Sequence, residues 1–293
     1  MKKCLQCQEA FESNDWRCPK CSGEPIFEGP IPLFAPALAA ENDGFPALSF
    51  ERLFEMEESN FWFRGRNELI VWAIRRYFGH AKSFFEIGCG TGYVINGIRE
   101  KFSSLKLSGS EIHRRGLTFA SRRLPSVELL QMDARAIPFV NEFDLVGLFD
   151  VLEHIEEDVK VLNQIFDAVR SESGGLILTV PQHKFLWSQN DVFACHCRRY
   201  SKAELTSKVE RAGFEVVFVS SFVSLLLPLM FMSRLTKRSS KNYNPEDEFK
   251  IPKVLNKVLE VVMSVERHLI QIGVRLPLGG SLLLIARVPI SAP

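Results

Sequence analysis

The chain has almost no surplus charge: 36 lysines and arginines stand against 35 aspartates and glutamates, a formal net charge of +1 over 293 residues. Without a field of one sign, the molecule as a whole does not draw in nucleic acid or an anionic membrane, so such a partner must be gripped locally. The opening stretch, MKKCLQCQEAFESNDWRCPKC, lacks an apolar run of signal-peptide length, and no segment reaches the roughly 18 to 20 apolar residues that a membrane span requires. The expected setting is the cytoplasm. No internal repeat is present. Cysteine is sparse and odd in number, seven residues with four of them in CxxC pairs, which suits a reducing compartment and a metal better than a disulfide framework. What is abundant is ordinary: 46% hydrophobic and 24% charged residues, enough for one full α/β core with an appendage.

Residues 1–28 read as a cysteine module, 29–48 as a Pro- and Ala-rich linker laid over the surface, and 49–293 as the main domain. Cys4-Leu-Gln-Cys7 and Cys18-Pro-Lys-Cys21 are two knuckles ten residues apart, the arrangement of a zinc ribbon in which four thiolates surround one Zn(II). So few apolar residues accompany them that the metal is expected to supply the folding energy. A redox dithiol pair is the alternative. In the main domain, helical spacing of Leu53, Phe54, Phe61, Leu69, Ile70, Trp72 and Ile74 predicts two helices before the first strand. SFFEI, KLSGSEI, VELLQM, FDLVGLF, GLILTV, EVVFVSSF and SLLLIARV then alternate with amphipathic helices. The expected fold class is α/β, a Rossmann-like, seven-stranded, mostly parallel sheet with helices on both faces. Ser201 and Glu204 predict a capped helix ending at Gly213. A helical insertion over about 223–278 precedes the last strand; it holds FVSLLLPLMFM, with Pro228 as a kink, and a helix with Val254, Val258, Val261, Val265, Leu269 and Ile272 on one face.

The densest signal is FFEIGCGTGY, Phe84 to Tyr93, where Gly88, Gly90 and Gly92 lie between a buried strand and a helix, the place where open α/β sheets seat ligands. The dinucleotide fingerprint is G-x-G-x-x-G; here the third glycine comes one residue early, and Tyr93 stands in its place. Glu111, ending the next strand, offers two carboxylate oxygens to the vicinal hydroxyls of a ribose. A ribose ligand is expected, and a pyrophosphate is less supported.

Glu86 to Tyr93, Glu111, Gln131-Met-Asp133-Ala134 and Phe149-Asp-Val-Leu-Glu-His154 follow in order, each at a strand end, and together resemble the motifs of class I S-adenosylmethionine-dependent methyltransferases. The similarity runs from about Trp62 to Val219 and resumes at Ser281. It implies S-adenosylmethionine as cofactor, held at Gly88, Cys89, Gly90 and Gly92, with Glu86 near its amino group. Glu111 would meet the ribose and Asp133 and Ala134 the adenine, with Ile112 and Phe149 also in contact with the cofactor. Arg66 resembles a position that binds the methionine carboxylate in some members. Asp150, Glu153 and His154 resemble a divalent-metal site of some relatives. Glu86 also reads as a helix-dipole partner, Asp133 as a turn cap and Arg66 as a surface arginine.

A sulfonium methyl is already activated, so alignment is the protein's main task; for a hydroxyl acceptor, His154 is the candidate base, or else a histidine that orients its loop. After the fifth strand, His183, Trp187, His196, Arg199 and Tyr200 are acceptor-binding candidates, with bracing of the next helix as the alternative for Arg198 and Arg199. Cys195 and Cys197 read as ordinary thiols. The expected acceptor is small or lipid-linked, a quinone-like or cell-envelope glycan intermediate. Residues 222–241, whose apolar run precedes Arg234, Lys237, Arg238 and Lys241, would give peripheral membrane contact or a lid over the acceptor. FDVLEHI resembles ubiquinone-pathway O-methyltransferases, whereas some ribosomal-RNA methyltransferases carry a zinc module. RNA methylation is therefore the rival enzyme reading, and a non-catalytic binding module the third.

Overall fold

The computed structural model describes residues 1–38, 49–172, 174–237 and 251–289, apart from the side chains of 234–237. The elements run β1 (Lys2–Lys3), β2 (Ala10–Phe11), β3 (Ile26–Glu28), β4 (Ile31–Leu33), α1 (Ser49–Met56), α2 (Phe61–Tyr77), β5 (Ser83–Ile87), α3 (Tyr93–Lys101), β6 (Lys106–Glu111), α4 (Arg114–Arg123), β7 (Glu128–Gln131), β8 (Leu145–Phe149), α5 (Asp158–Ala168), β9 (Gly175–Pro181), α6 (Gln189–Phe193), α7 (Lys202–Arg211), β10 (Glu215–Phe222), α8 (Leu227–Lys237), α9 (Lys253–Gln271) and β11 (Ser281–Arg287). All seven strands read from the sequence are present.

They form a sheet in the order β10-β11-β9-β8-β5-β6-β7-β4-β3. From β4 to β9 the strands are parallel, and β11 runs antiparallel between β9 and β10. Side chains alternate across this sheet as the pleat dictates. Phe84, Leu145 and Ile177 pack under α2, α3 and α4, whereas Phe85, Val146, Leu176 and Leu178 pack toward α5 and α7. Both faces are thus covered, and the strands are correspondingly apolar. Ser201 accepts from the Glu204 amide to start α7, and Gly213 follows its end at φ +104°.

The sheet has nine strands among the described residues, not seven, because the end of the cysteine module supplies β3 and the segment read as a surface linker supplies β4. Leu33 pairs with Gln131 in the parallel sense, and the Gln131 side chain exchanges hydrogen bonds with Ala35 at 2.9 and 2.8 Å. The cysteine module docks beside it. Trp16 packs edge-on against Phe34 (4.7 Å) and Phe139 (5.3 Å), while the Lys3 amide donates to Pro138 and the Val140 amide to Met1.

The insertion differs from its pattern in two ways. Pro228 falls in the first turn of α8, where no helical amide is needed, and so begins a helix instead of kinking one. On α9 the buried residues are Leu259, Met263, Glu266 and Ile270, while Val254, Val258, Val261, Val265 and Ile272 are exposed. Polar stitching decides which face turns inward: Arg64 pairs with Glu260 and Arg267 with Glu68, Asn256 accepts the Phe61 amide, and Glu266 accepts the Ser224 and Leu225 amides. Thus α9 holds α2 and the start of α8. Residues 238–250, including Arg238 and Lys241, lie outside the described residues, as do the side chains of Arg234 and Lys237.

Candidate functional site

The C-terminal ends of β5, β6, β7 and β8 open into one cavity of about 1030 Å³, roofed by α1, α2, α6 and α8. Its floor is the loop after β5. Gly88 and Gly90 both take positive φ, +71° and +54°, but for different reasons. A Cβ at Gly88 would meet Val151 at 2.4 Å, so packing forbids a side chain there; at Gly90 the nearest atom is Phe50 Cε1 at 3.9 Å, so the space above is kept for something else. Gly92 starts α3 in the left-handed conformation, and Cys89 is buried beneath the loop.

Glu86 closes the inner end. It is 2% exposed, its Oε2 has no protein donor, and burial raises its carboxyl to about 8 against the pull of Arg66. An orphaned buried carboxylate in a cavity suits a positively charged group. Glu111 accepts the Gly90 amide on one oxygen and the His113 amide on the other, each at 3.0 Å, which leaves a lone pair on each oxygen for a diol. Ile112 lines the cavity and accepts from Gln131 through its carbonyl. Ala134 and Phe149 line it as well. Asp133 is there too, but Arg135 holds its carboxylate through Nε at 3.0 and 2.9 Å, and the Arg135 amide completes the turn. Arg66 is 8% exposed in the cavity wall, not on the surface; it pairs with Asp150 and lies 4.5 Å over the Trp62 ring.

At the other end, His154 and His196 meet edge to face at 4.7 Å. Burial and the neighbouring His196 pull the His154 imidazole down to about 3, so it is a poor proton acceptor near neutrality. Glu153 is 0% exposed, neither of its oxygens has a protein donor, and burial with Asp150 nearby pushes its carboxyl well above the usual range. Ligand atoms of Glu153, His154 and His196 lie within 4.8 Å of one another; Asp150, expected with them, turns to Arg66 instead.

The acceptor candidates divide. His196 and Arg199 line the cavity, but Arg199 is 4% exposed and spends its guanidinium on Asp191 (2.7 and 3.0 Å) and the Gln182 carbonyl. Burial alone would raise Asp191, yet hydrogen bonds from His196 and Arg199 hold it well below the carboxylate range. Tyr200 does not reach the cavity: fully buried, it donates to Asp158 at 2.8 Å and braces α5. Arg198 does the same through Asp158 and the Glu156 carbonyl. Trp187 is 41% exposed outside the cavity, and His183 stacks on the still more exposed Phe185. Those three candidates are corrected: His183 and Trp187 lie in the turn between β9 and α6, and Tyr200, after α6, pairs back on the end of β9 through Pro181 and Gln182. Cys195 Sγ donates to the Phe193 carbonyl at 3.8 Å and Cys197 Sγ to the His154 carbonyl at 3.3 Å.

Sequence reading missed the entrance-side network. Thr91 Oγ1 donates to Glu57 at 2.6 Å, and Arg123 bridges Glu57, Thr91 and the Phe54 carbonyl while lying 4.4 Å over the Phe54 ring. Burial raises Glu57, and nothing in the polar run MEESN distinguishes it in advance. The four cysteines of the N-terminal module do converge, with Cys4 to Cys21 at 3.5 Å and Cys7 to Cys18 at 3.6 Å between sulfurs. A tetrahedron of bonds near 2.3 Å places sulfurs roughly 3.8 Å apart, so the set fits Zn(II).

Residues 84–172 match the family described as "Methyltransferase domain". A protein of Mycolicibacterium smegmatis named "Probable S-adenosylmethionine-dependent methyltransferase" is 26% identical over 165 residues, 55% of this chain and 62% of that protein. Phosphoethanolamine N-methyltransferase 2 of Haemonchus contortus, solved with S-adenosyl-L-methionine, superposes with a TM-score of 0.52 at 16% identity, over 76% of this chain and 52% of that one. A SAM-dependent methyltransferase of Thermotoga maritima gives 0.51 at 17% identity, over 83% and 96%. The chain thus spans little more than half to three-fifths of the first two proteins. Residues 84–172 thus match a methyltransferase domain, with a four-cysteine cluster ahead of it, and the chain is similar to S-adenosylmethionine-dependent methyltransferases.

Proposed function

We propose that the protein transfers a methyl group from S-adenosylmethionine to a small or lipid-linked acceptor. The carrying observation is the cavity's inner end, where the open space over Gly90, the Glu111 carboxylate and the orphaned Glu86 carboxylate meet in one wall. These residues suit a loop-contacting methionine chain, a ribose diol and an ammonium respectively. Asp133 and Ala134 would border the adenine and Arg66 the carboxylate. When bound, the sulfonium supplies an activated methyl group; what the chain adds is alignment, which can remove on the order of 7 to 11 kcal/mol of a barrier.

The same cavity extends under α8, where Leu226, Leu229 and Met230 line it. Leu229 is also 49% exposed, beside Leu225 (45%), Phe231 (45%) and Met232 (64%), so the outer rim is an apolar surface on which a lipid-linked acceptor and a membrane interface can meet. No helix among the described residues is long and apolar enough to cross a membrane. The four N-terminal cysteines are assigned a structural zinc.

Calorimetric titration with S-adenosylmethionine and, separately, NADH tests the reading, with zinc quantified on the same sample. Micromolar binding of the methyl donor alone with about one zinc per chain is expected. Binding of neither nucleotide would leave the fold as a scaffold without the cofactor. Flotation with vesicles, compared between the wild type and Phe231→Ser/Met232→Ser, tests the rim.

A further inference from the structure

Most carboxylates in and beside the cavity are already served. Thr91 and Arg123 serve Glu57, two amides serve Glu111, and Arg135, Arg66 and Arg199 serve Asp133, Asp150 and Asp191. Glu86 and Glu153 keep oxygens that no protein donor reaches. Glu86 is taken up by the cofactor reading; Glu153 is not.

At Glu153 the mismatch is one of kind as well as number. Both oxygens lack a donor, and the group facing them at 3.9 Å is His196 Nε2. His196 Nδ1 sits 2.9 Å from the Asp191 carboxylate, which only accepts, so in the neutral ring the hydrogen belongs on Nδ1 and Nε2 presents a lone pair. Asp191 is itself locked by Arg199 and by Ser188, so the ring cannot turn round without breaking that set. With Glu153 ionised, as a bound cation would hold it against the upward push of burial, three electron-rich atoms converge on one corner of the cavity. A hydroxyl has a single O–H and two lone pairs, and the lone pairs would find only other lone pairs there. An ammonium has three N–H donors and no lone pair. Removing a buried acceptor's partner costs far more than an exposed one, so such a corner discriminates strongly between the two.

We propose that Glu153 and His196 form a subsite for an amine, so that the acceptor atom is nitrogen; this rests on the methyl-transfer reading above. The acceptor enters as an ammonium, one N–H bond breaks and its proton passes to a Glu153 oxygen. The freed nitrogen pair then forms the bond to the methyl carbon as the carbon–sulfur bond breaks, its electron pair remaining on sulfur as a neutral thioether. The positive charge lost by the sulfonium appears on the methylated nitrogen.

The test uses matched probes, propylamine against propan-1-ol and 2-phenylethylamine against 2-phenylethanol. Each is titrated calorimetrically into the full chain, with and without saturating S-adenosylhomocysteine. Each amine is expected to bind at least about tenfold tighter than its alcohol, and Glu153→Gln to erase the preference. The isosteric variant should unfold at or above the wild-type temperature, since it removes a buried acid with no partner. Equal or tighter binding of the alcohols, a preference surviving in Glu153→Gln, or no saturation by either amine in the millimolar range would overturn the proposal. So would stoichiometric binding of MnCl2 lost in Glu153→Gln, which would make the corner a divalent-cation site. S-adenosylhomocysteine binding without amine preference sinks the subsite alone, whereas amine preference without nucleotide binding sinks the methyl-transfer reading and leaves the subsite.

Discussion

Glu86 sets the first expectation at the scale of single residues. Its carboxyl rises from 4.5 to about 8 on folding, so between those values the folded protein holds a proton that the unfolded chain has lost. The stability this contributes is full below the unfolded value and is lost as pH climbs through the folded one, at up to about 1.4 kcal/mol per pH unit. Glu86→Gln should remove that slope, which urea unfolding at a series of pH values would show, and should weaken S-adenosylmethionine. Gly90 and Gly88 make a second pair. Alanine at Gly90 meets no neighbour inside 3.9 Å, so it should cost only the left-handed backbone, about 1 to 2 kcal/mol, while blocking the nucleotide. Alanine at Gly88 collides with Val151 at 2.4 Å and should cost distinctly more by the same unfolding assay. Tyr200→Phe should lose about 1 to 2 kcal/mol with its bond to Asp158 and leave acceptor binding unchanged. These residues differ in how far the sequence disclosed them. Gly88, Gly90 and Glu111 were legible because their spacing after a strand is itself the geometry. Tyr200 and Arg199 were not, because whether a side chain faces a cavity or a core depends on a turn, 183–188, that carries no periodic pattern.

Among the elements, the strands announced themselves and the insertion did not. A strand buried on both faces must be apolar along its whole length, so GLILTV and SLLLIARV could hardly be read otherwise. Helix α9 carries apolar residues on more than one face, and the pattern alone picks the row of valines. The row that packs is chosen instead by Asn256, Glu260, Glu266 and Arg267, whose partners lie some 195 residues away in sequence for Phe61 and 42 for Ser224. Mutations should report the difference. Met263→Ala, under Gly65 of α2, is expected to cost about 2 to 5 kcal/mol, and Val258→Asp, which is 53% exposed, to stay within about 0.5 kcal/mol. A large loss at Val258 would mean that a covering partner exists in solution.

For the whole molecule, the N-terminal module is a fixed part of the fold, yet no residue of 1–28 lines the cavity. Chelation should therefore release Trp16 from Phe34 and Phe139, visible as a change in tryptophan emission and a lower unfolding temperature, while nucleotide affinity measured below that temperature stays within about threefold. The cysteine spacing disclosed the knuckles. It could not disclose their seat, which consists of Pro138, Phe139 and the Gln131 strand far along the chain. That separation orders events during synthesis. The knuckles emerge first and can close locally, but Leu33 must wait for Gln131, 98 residues later, a delay of roughly 5 to 20 s at ribosomal speeds. The far edge waits longer still: β10 reaches the rest of the sheet only through β11, so the sheet stays in two pieces until residues 281–287 slide between β9 and β10. A nascent chain halted before residue 281 would expose two unpaired edges, and would be the form most in need of a chaperone.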